Sequence, residues 1–153
     1  MQAKSEKLKS GISDIRASDK RRILVMDDDY IVRRLLDRIL HESGYDVALS
    51  ANGSEAFALY TMAEKKGVPF DAVIIDLIVR EEVGGEELIG KLREINPHVK
   101  AIVSSGYVNE SAMPGLKACG FSAMVAKPFT IEKMLNTLQD ILLETNRFHP
   151  QVS

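Results

Sequence analysis

Four short apolar runs punctuate the chain, and each leads directly into residues able to hold phosphate or a metal ion. Ile23-Leu24-Val25-Met26 precedes Asp27-Asp28, and Ala72-Val73-Ile74-Ile75 precedes Asp76. Ala101-Ile102-Val103 precedes Ser104-Ser105-Gly106, and Ala123-Met124-Val125-Ala126 precedes Lys127-Pro128. Unbroken apolar runs mark parallel strands covered on both faces, because a half-exposed strand would alternate apolar with polar. In open parallel sheets, ligands gather beyond the carboxyl ends of the strands. Carboxylates, hydroxyls and one ammonium therefore converge on a single pocket.

Helical patterns fill the intervals. Ile31, Leu35 and Ile39 repeat at i, i+4, i+8, with Val32, Leu36 and Leu40 alongside and Arg33, Arg34, Asp37 and Arg38 on the other side. This predicts an amphipathic helix stopped near Gly44. A further strand, Asp46 to Ser50, leads through Asn52-Gly53 into a helix carrying Ala56, Leu59, Tyr60 and Ala63, ended by Gly67-Val68-Pro69. After the Asp76 run come a Gly84-Gly85 loop and a helix with Leu88, Ile89 and Leu92, closed by Asn96-Pro97. A strand from Val99 to Ser104 then precedes a poor helical stretch, where Pro114-Gly115 implies a short or late helix. The last helix is strongly periodic through Ile131, Met134, Leu135, Leu138, Ile141 and Leu142. Five strand and helix pairs in alternation predict an α/β fold: a doubly wound, five-stranded parallel sheet with helices on both faces and right-handed crossovers.

With 153 residues, 45% of them hydrophobic, the chain has room for one domain with its own core and no second one. Residues 1–20 are rich in Lys, Ser and Glu and read as a linker or tail, residues 21–146 as the domain, and 147–153 as a C-terminal tail. A net charge of -2 gives no basic face, so nucleic acid is not expected as a partner. No apolar stretch reaches the length of a signal or membrane segment, which makes a cytoplasmic protein the default and a membrane partner unexpected. The single cysteine, Cys119, excludes an internal disulfide and reads as a buried small apolar residue. His41, His98 and His149 read as surface or helix-end residues.

Asp27, Asp28 and Asp76 would crowd like charges at neighbouring strand ends, where repulsion is on the order of 4 kcal/mol per pair at about 4 Å. A hard divalent cation removes that repulsion, and an all-oxygen ligand set with room for water and a phosphate oxygen suits Mg²⁺. An aspartate beside such an ion can attack phosphorus and form an acyl phosphate. Ser105 and Lys127 would then bind the oxygens of the transferred phosphoryl group. Any one of these residues could sit at a strand end or helix cap for structural reasons alone. Four clusters in order are harder to attribute to chance.

Taken together, Ile23 to Asp28, Asp76-Leu77, Gly84, Ser105-Gly106 and Lys127-Pro128-Phe129 resemble the receiver domain of two-component response regulators. Gly84-Gly85, Val99 to Tyr107 and Gly120-Phe121-Ser122 are similar in particular to receivers attached to hybrid sensor histidine kinases. The resemblance covers residues 20 to 145 and implies a flavodoxin-like strand order 2-1-3-4-5. It implies that Asp76 accepts a phosphoryl group from a kinase phosphohistidine, and that Asp28, Asp76 and the Ile78 carbonyl ligate Mg²⁺, with Asp27 assisting through water. It implies Ser105 as the switch hydroxyl, Lys127 as the partner of the phosphoryl group and a cis Lys127-Pro128 peptide. The implied partners are a sensor histidine kinase or phosphotransfer protein and a downstream protein on the fourth and fifth helix face, with the chain a monomer or weak dimer. The chain would catalyse its own phosphorylation only; a hybrid-kinase parent would be a protein kinase.

Several positions depart from the family pattern. Arg80, followed by Glu81-Glu82, stands where proline is usual, and Met124 stands where many receivers carry a switch aromatic, leaving Tyr107 as a candidate substitute. Ile78 and Tyr107 also replace polar side chains that position water in faster members, so a slowly hydrolysing acyl phosphate is expected. Two other readings compete. Val25 to Ile31 is similar to the opening of haloacid-dehalogenase-type phosphatases, with Asp27 as nucleophile and Asp29 as acid, but no acidic pair follows Lys127 and no length remains for a cap domain. The other is an interaction module of receiver fold that has lost phosphorylation.

Overall fold

The computed structural model describes residues 20–77, 84–106 and 109–152, with side chains as far as Glu144. Residues 1–19 of the expected tail, the loop residues Ile78, Arg80, Glu81 and Glu82, and Tyr107 lie outside the described residues. Strands and helices alternate in chain order as β1 (Arg22–Met26), α1 (Tyr30–Glu42), β2 (Asp46–Ser50), α2 (Gly53–Lys65) and β3 (Ala72–Asp76). There follow α3 (Gly85–Ile95), β4 (Ala101–Ser105), a 3-10 turn at Glu110–Ala112, α4 (Met113–Cys119), β5 (Ala123–Ala126) and α5 (Ile131–Val152). All strand pairs are parallel, in the order β2-β1-β3-β4-β5. The expected doubly wound, flavodoxin-like sheet is what the chain forms.

Each face of the sheet has its own apolar layer. Ile23, Val25, Ile74, Ile102 and Val125 pack with Leu36 and Leu40 of α1 and with Met134, Leu138, Ile141 and Leu142 of α5. Leu24, Met26, Val73, Ile75 and Val103 pack with α2, α3 and α4 through Ala56, Tyr60, Leu88, Ile89, Leu92 and Leu116. Burial on both faces explains why the strand sequences are unbroken apolar runs. The edge strand β2 is only half-buried apart from Ser50, and its sequence is correspondingly more mixed.

Several sequence expectations need correction. In α1 the buried stripe is Leu36, Ile39 and Leu40, whereas Ile31 is 70% exposed and Leu35 44%. The helix presents one stripe about 100° wide to the sheet, and Ile31 and Leu35 lie just beyond it. The fourth strand starts at Ala101, the ladder partner of Val73; Val99 instead closes the preceding turn through its amide to the Asn96 carbonyl. Pro114 does not break a helix but sits in the first turn of α4, where its missing N–H would have had no partner. The helix is short as expected, ending at Gly120 in the left-handed region, φ 117°. Cys119 is only partly buried, packed against the rim of the α2/α3/α4 layer.

Candidate functional site

Strand alternation and register bring the site together. Val25 and Ile74 face α1 and α5, so two residues on, Asp27 and Asp76 share that face. Met26 pairs with Ile75 and Asp76 with Ser104, so these residues stand side by side at the strands' carboxyl ends. The sheet order reverses between β1 and β3, which is the crevice where doubly wound sheets hold ligands. Asp27 and Asp76 are buried and Asp28 is exposed; one carboxylate oxygen from each lies within 4.8 Å of the others.

Both oxygens of Asp27 have protein partners. Oδ1 accepts from the Asp29 amide at 2.9 Å, and Oδ2 accepts from Lys127 Nζ at 2.6 Å. The same ammonium lies 3.8 Å from Asp76 Oδ2, close enough for ionic attraction but too long for a hydrogen bond. Lys127 is placed by β5, whose end is tied to β4 where the Lys127 amide donates to the Ser105 carbonyl at 3.1 Å. The Lys127-Pro128 peptide is cis. Ser105 is buried and has an interaction of its own, while the buried Ser104 Oγ has no protein partner.

Two residues shape the β1–α1 turn in ways the sequence reading did not assign to them. Asp29 caps α1, its Oδ1 accepting from the Ile31 amide at 2.8 Å and from the Val32 amide at 3.4 Å. That employment leaves it poorly placed as the acid of a dehalogenase-type site. Arg33, assigned by periodicity to the solvent side, reaches back to donate to the Asp27 carbonyl at 2.8 Å. An Asp just before an apolar helical run was a readable capping signal; the path of a long arginine side chain was not.

On the other side of Asp76, Gly85 opens α3 against β3. Its amide donates to the Leu77 carbonyl at 3.1 Å, and a Cβ there would lie 2.7 Å from the Asp76 carbonyl oxygen and 2.9 Å from Leu77 Cα. Only glycine allows that approach. Met124 is partly buried against the α2/α3/α4 layer. The oxygen-only donor set of Asp27, Asp28 and Asp76 fits a hard divalent cation. What the arrangement can do is hold such a cation beside a buried carboxylate, with an ammonium poised over both.

Fold and site define a doubly wound α/β protein with an acidic crevice at its switch point. Residues 23–139 match the family described as the response regulator receiver domain, and the chain belongs to that family. It is 33% identical over 116 residues to a response regulator receiver protein from Anaeromyxobacter sp. (strain Fw109-5), covering 76% of this chain and 46% of that protein. It is 31% identical over 120 residues to Sensor kinase CckA from Brucella abortus (strain 2308), covering 78% of this chain and 12% of that protein. The chain thus spans less than half the length of either relative. Among solved structures, a CheY-like receiver domain protein from Methanospirillum hungatei JF-1 superposes with a TM-score of 0.72 at 25% identity, covering 84% of this chain and 98% of that one.

Proposed function

We propose that this chain is a phosphoacceptor in a two-component phosphorelay, taking a phosphoryl group from a kinase phosphohistidine onto Asp76 in a Mg²⁺-dependent step. The observation that carries this reading is Lys127 Nζ lying between Asp27 and Asp76, 2.6 and 3.8 Å away, beside three clustered carboxylates. Asp76 Oδ attacks phosphorus in line, the donor's N–P bond breaks, and an acyl phosphate forms on the carboxylate. Asp28, Asp76 and the Ile78 carbonyl would hold Mg²⁺, with Asp27 joining through water, because both of its oxygens already have protein partners. The cation would neutralise charge building on the equatorial oxygens. Lys127 then turns from Asp27 to the phosphoryl oxygens, and Ser105 supplies a hydroxyl from the neighbouring strand end.

In this reading the chain catalyses only its own phosphorylation. The signal leaves by contact, on the α4/β5/α5 side, with Met124 and Tyr107 as the switch-region residues. Residues 21–146 form the receiver unit, 1–20 a tether and 147–153 a tail. The partners are a sensor histidine kinase or phosphotransfer protein and a downstream protein, with the chain a cytoplasmic monomer or weak dimer; among the described residues no helix is long and apolar enough to cross a membrane. A test is calorimetric titration with MgCl₂. Wild type should bind with a dissociation constant that rises at least tenfold in Asp28→Asn; equal binding by both proteins would remove Asp28 from the metal site, and no binding by wild type would remove the metal from the mechanism.

A further inference from the structure

Ser104 is buried, 2% exposed, and its Oγ has no hydrogen-bond partner in the protein. Its neighbours make that costly. Ile102, two residues earlier, faces the α1/α5 layer, as does Val125, the β5 ladder partner of Ser104 itself, so alternation turns Ser104 toward the same layer. An alanine or valine would suit such a place better, since an unpartnered buried hydroxyl costs about 1–3 kcal/mol. The one polar neighbour in its row is Asp76, its direct ladder partner on β3, with Asp27 beyond it on β1. Adjacent strands run about 4.8 Å apart. A group built onto the Asp76 carboxylate therefore grows within reach of this hydroxyl.

We propose that Ser104 is a second hydroxyl of the phosphoacceptor site: its Oγ, unpartnered while Asp76 is a carboxylate, donates a hydrogen bond to the acyl phosphate formed there. The inference rests on Asp76 as acceptor. In the transfer the Asp76 Oδ–P bond forms and the donor's bond to phosphorus breaks; Ser104 keeps its proton throughout and only reorients. It is a positioning residue whose hydrogen bond exists in one state and not the other. Two effects of opposite sign follow. Removing the hydroxyl relieves a penalty in the unphosphorylated protein and withdraws a donor from the phosphorylated one.

The test uses beryllofluoride with Mg²⁺ as a stable stand-in for the phosphoryl group, followed by fluorine-19 NMR on the whole chain, together with thermal unfolding without beryllofluoride. Ser104→Ala should bind beryllofluoride about tenfold more weakly, as loss of a charge-assisted hydrogen bond gives. One bound fluorine resonance should shift, and the unfolding midpoint without beryllofluoride should not fall. Ser104→Thr and Ser104→Val have the same shape and differ in the hydroxyl; Thr should keep the affinity and Val should lose it. Equal affinity of wild type and Ser104→Ala, or of the Thr and Val variants, overturns the inference. So does a loss of affinity matched by a lower unfolding midpoint in Ser104→Ala, which marks a packing role. If wild type itself fails to bind beryllofluoride, the phosphoacceptor reading fails first.

Discussion

Lys127 places its ammonium against two buried carboxylates. Its side chain is only 22% exposed, and its ammonium faces Asp27, whose side chain is 3% exposed, with Asp76 just beyond. Replacing it with methionine keeps the length and removes the charge, leaving a buried carboxylate unpaired. We expect Lys127→Met to lower unfolding free energy by about 2–3 kcal/mol, somewhat below the range for fully buried pairs because water reaches the ammonium. MgCl₂ should recover part of that loss, since a cation that binds only the folded state stabilises it. Urea unfolding with and without MgCl₂ reads both effects. The charged residues at this scale were legible because each follows an apolar run. Ser104 was named without a role of its own and Arg33 was placed on the solvent side, since an unpartnered hydroxyl and a 2.8 Å bond to the Asp27 carbonyl depend on register and side-chain path.

Single elements show where periodicity suffices and where it misleads. In α1 both Ile31 and Leu36 fit a helical repeat, but only Leu36 is buried. Leu36→Ala should cost about 2–5 kcal/mol and Ile31→Ala no more than about 0.5 in denaturant unfolding, which separates the two apolar stripes. The outer stripe begins at Tyr30, whose ring has the Arg33 and Arg34 guanidiniums 5.7 and 5.9 Å from its centre. In α4, proline was read as making the helix short or late; the helix is short with Pro114 in its first turn, a choice the sequence alone leaves open because it does not say where that turn falls. The Gly84-Gly85 pair was legible as a loop, but not which glycine is indispensable. A methyl at Gly85 meets backbone atoms of Asp76 and Leu77 that have no room to give. Gly85→Ala should cost about 1–3 kcal/mol and displace the end of β3 that carries Asp76. An unchanged urea midpoint would mean that α3 can slide away without penalty.

For the whole molecule, the alternation of runs and helices was enough to specify the layers, because burial on both faces leaves few other arrangements for unbroken apolar strands. Strand order came from the family resemblance rather than from pattern. The register that sets Asp76 beside Ser104 is a property of the assembled sheet alone. Away from the site, Tyr60 lies wholly buried between α2 and the sheet, its hydroxyl accepting from Asn96 at 3.2 Å. Burial raises its phenol above the ordinary 10.0. The folded state therefore holds this proton more tightly than the unfolded chain, so its contribution is intact below that value and is lost as pH climbs through the higher folded-state one. Tyr60→Phe should flatten that alkaline part of the stability profile, and an unchanged slope would assign it to other groups.

The chemical event proposed for this site is phosphoryl transfer onto Asp76. Incubation with acetyl phosphate and Mg²⁺, followed by mass-spectrometric mapping, reads that event directly. A single phosphoryl group on Asp76, absent when EDTA is added and absent from Asp76→Asn, is the expected result. Modification elsewhere in the wild type, or none at all in protein that binds Mg²⁺, would contradict it.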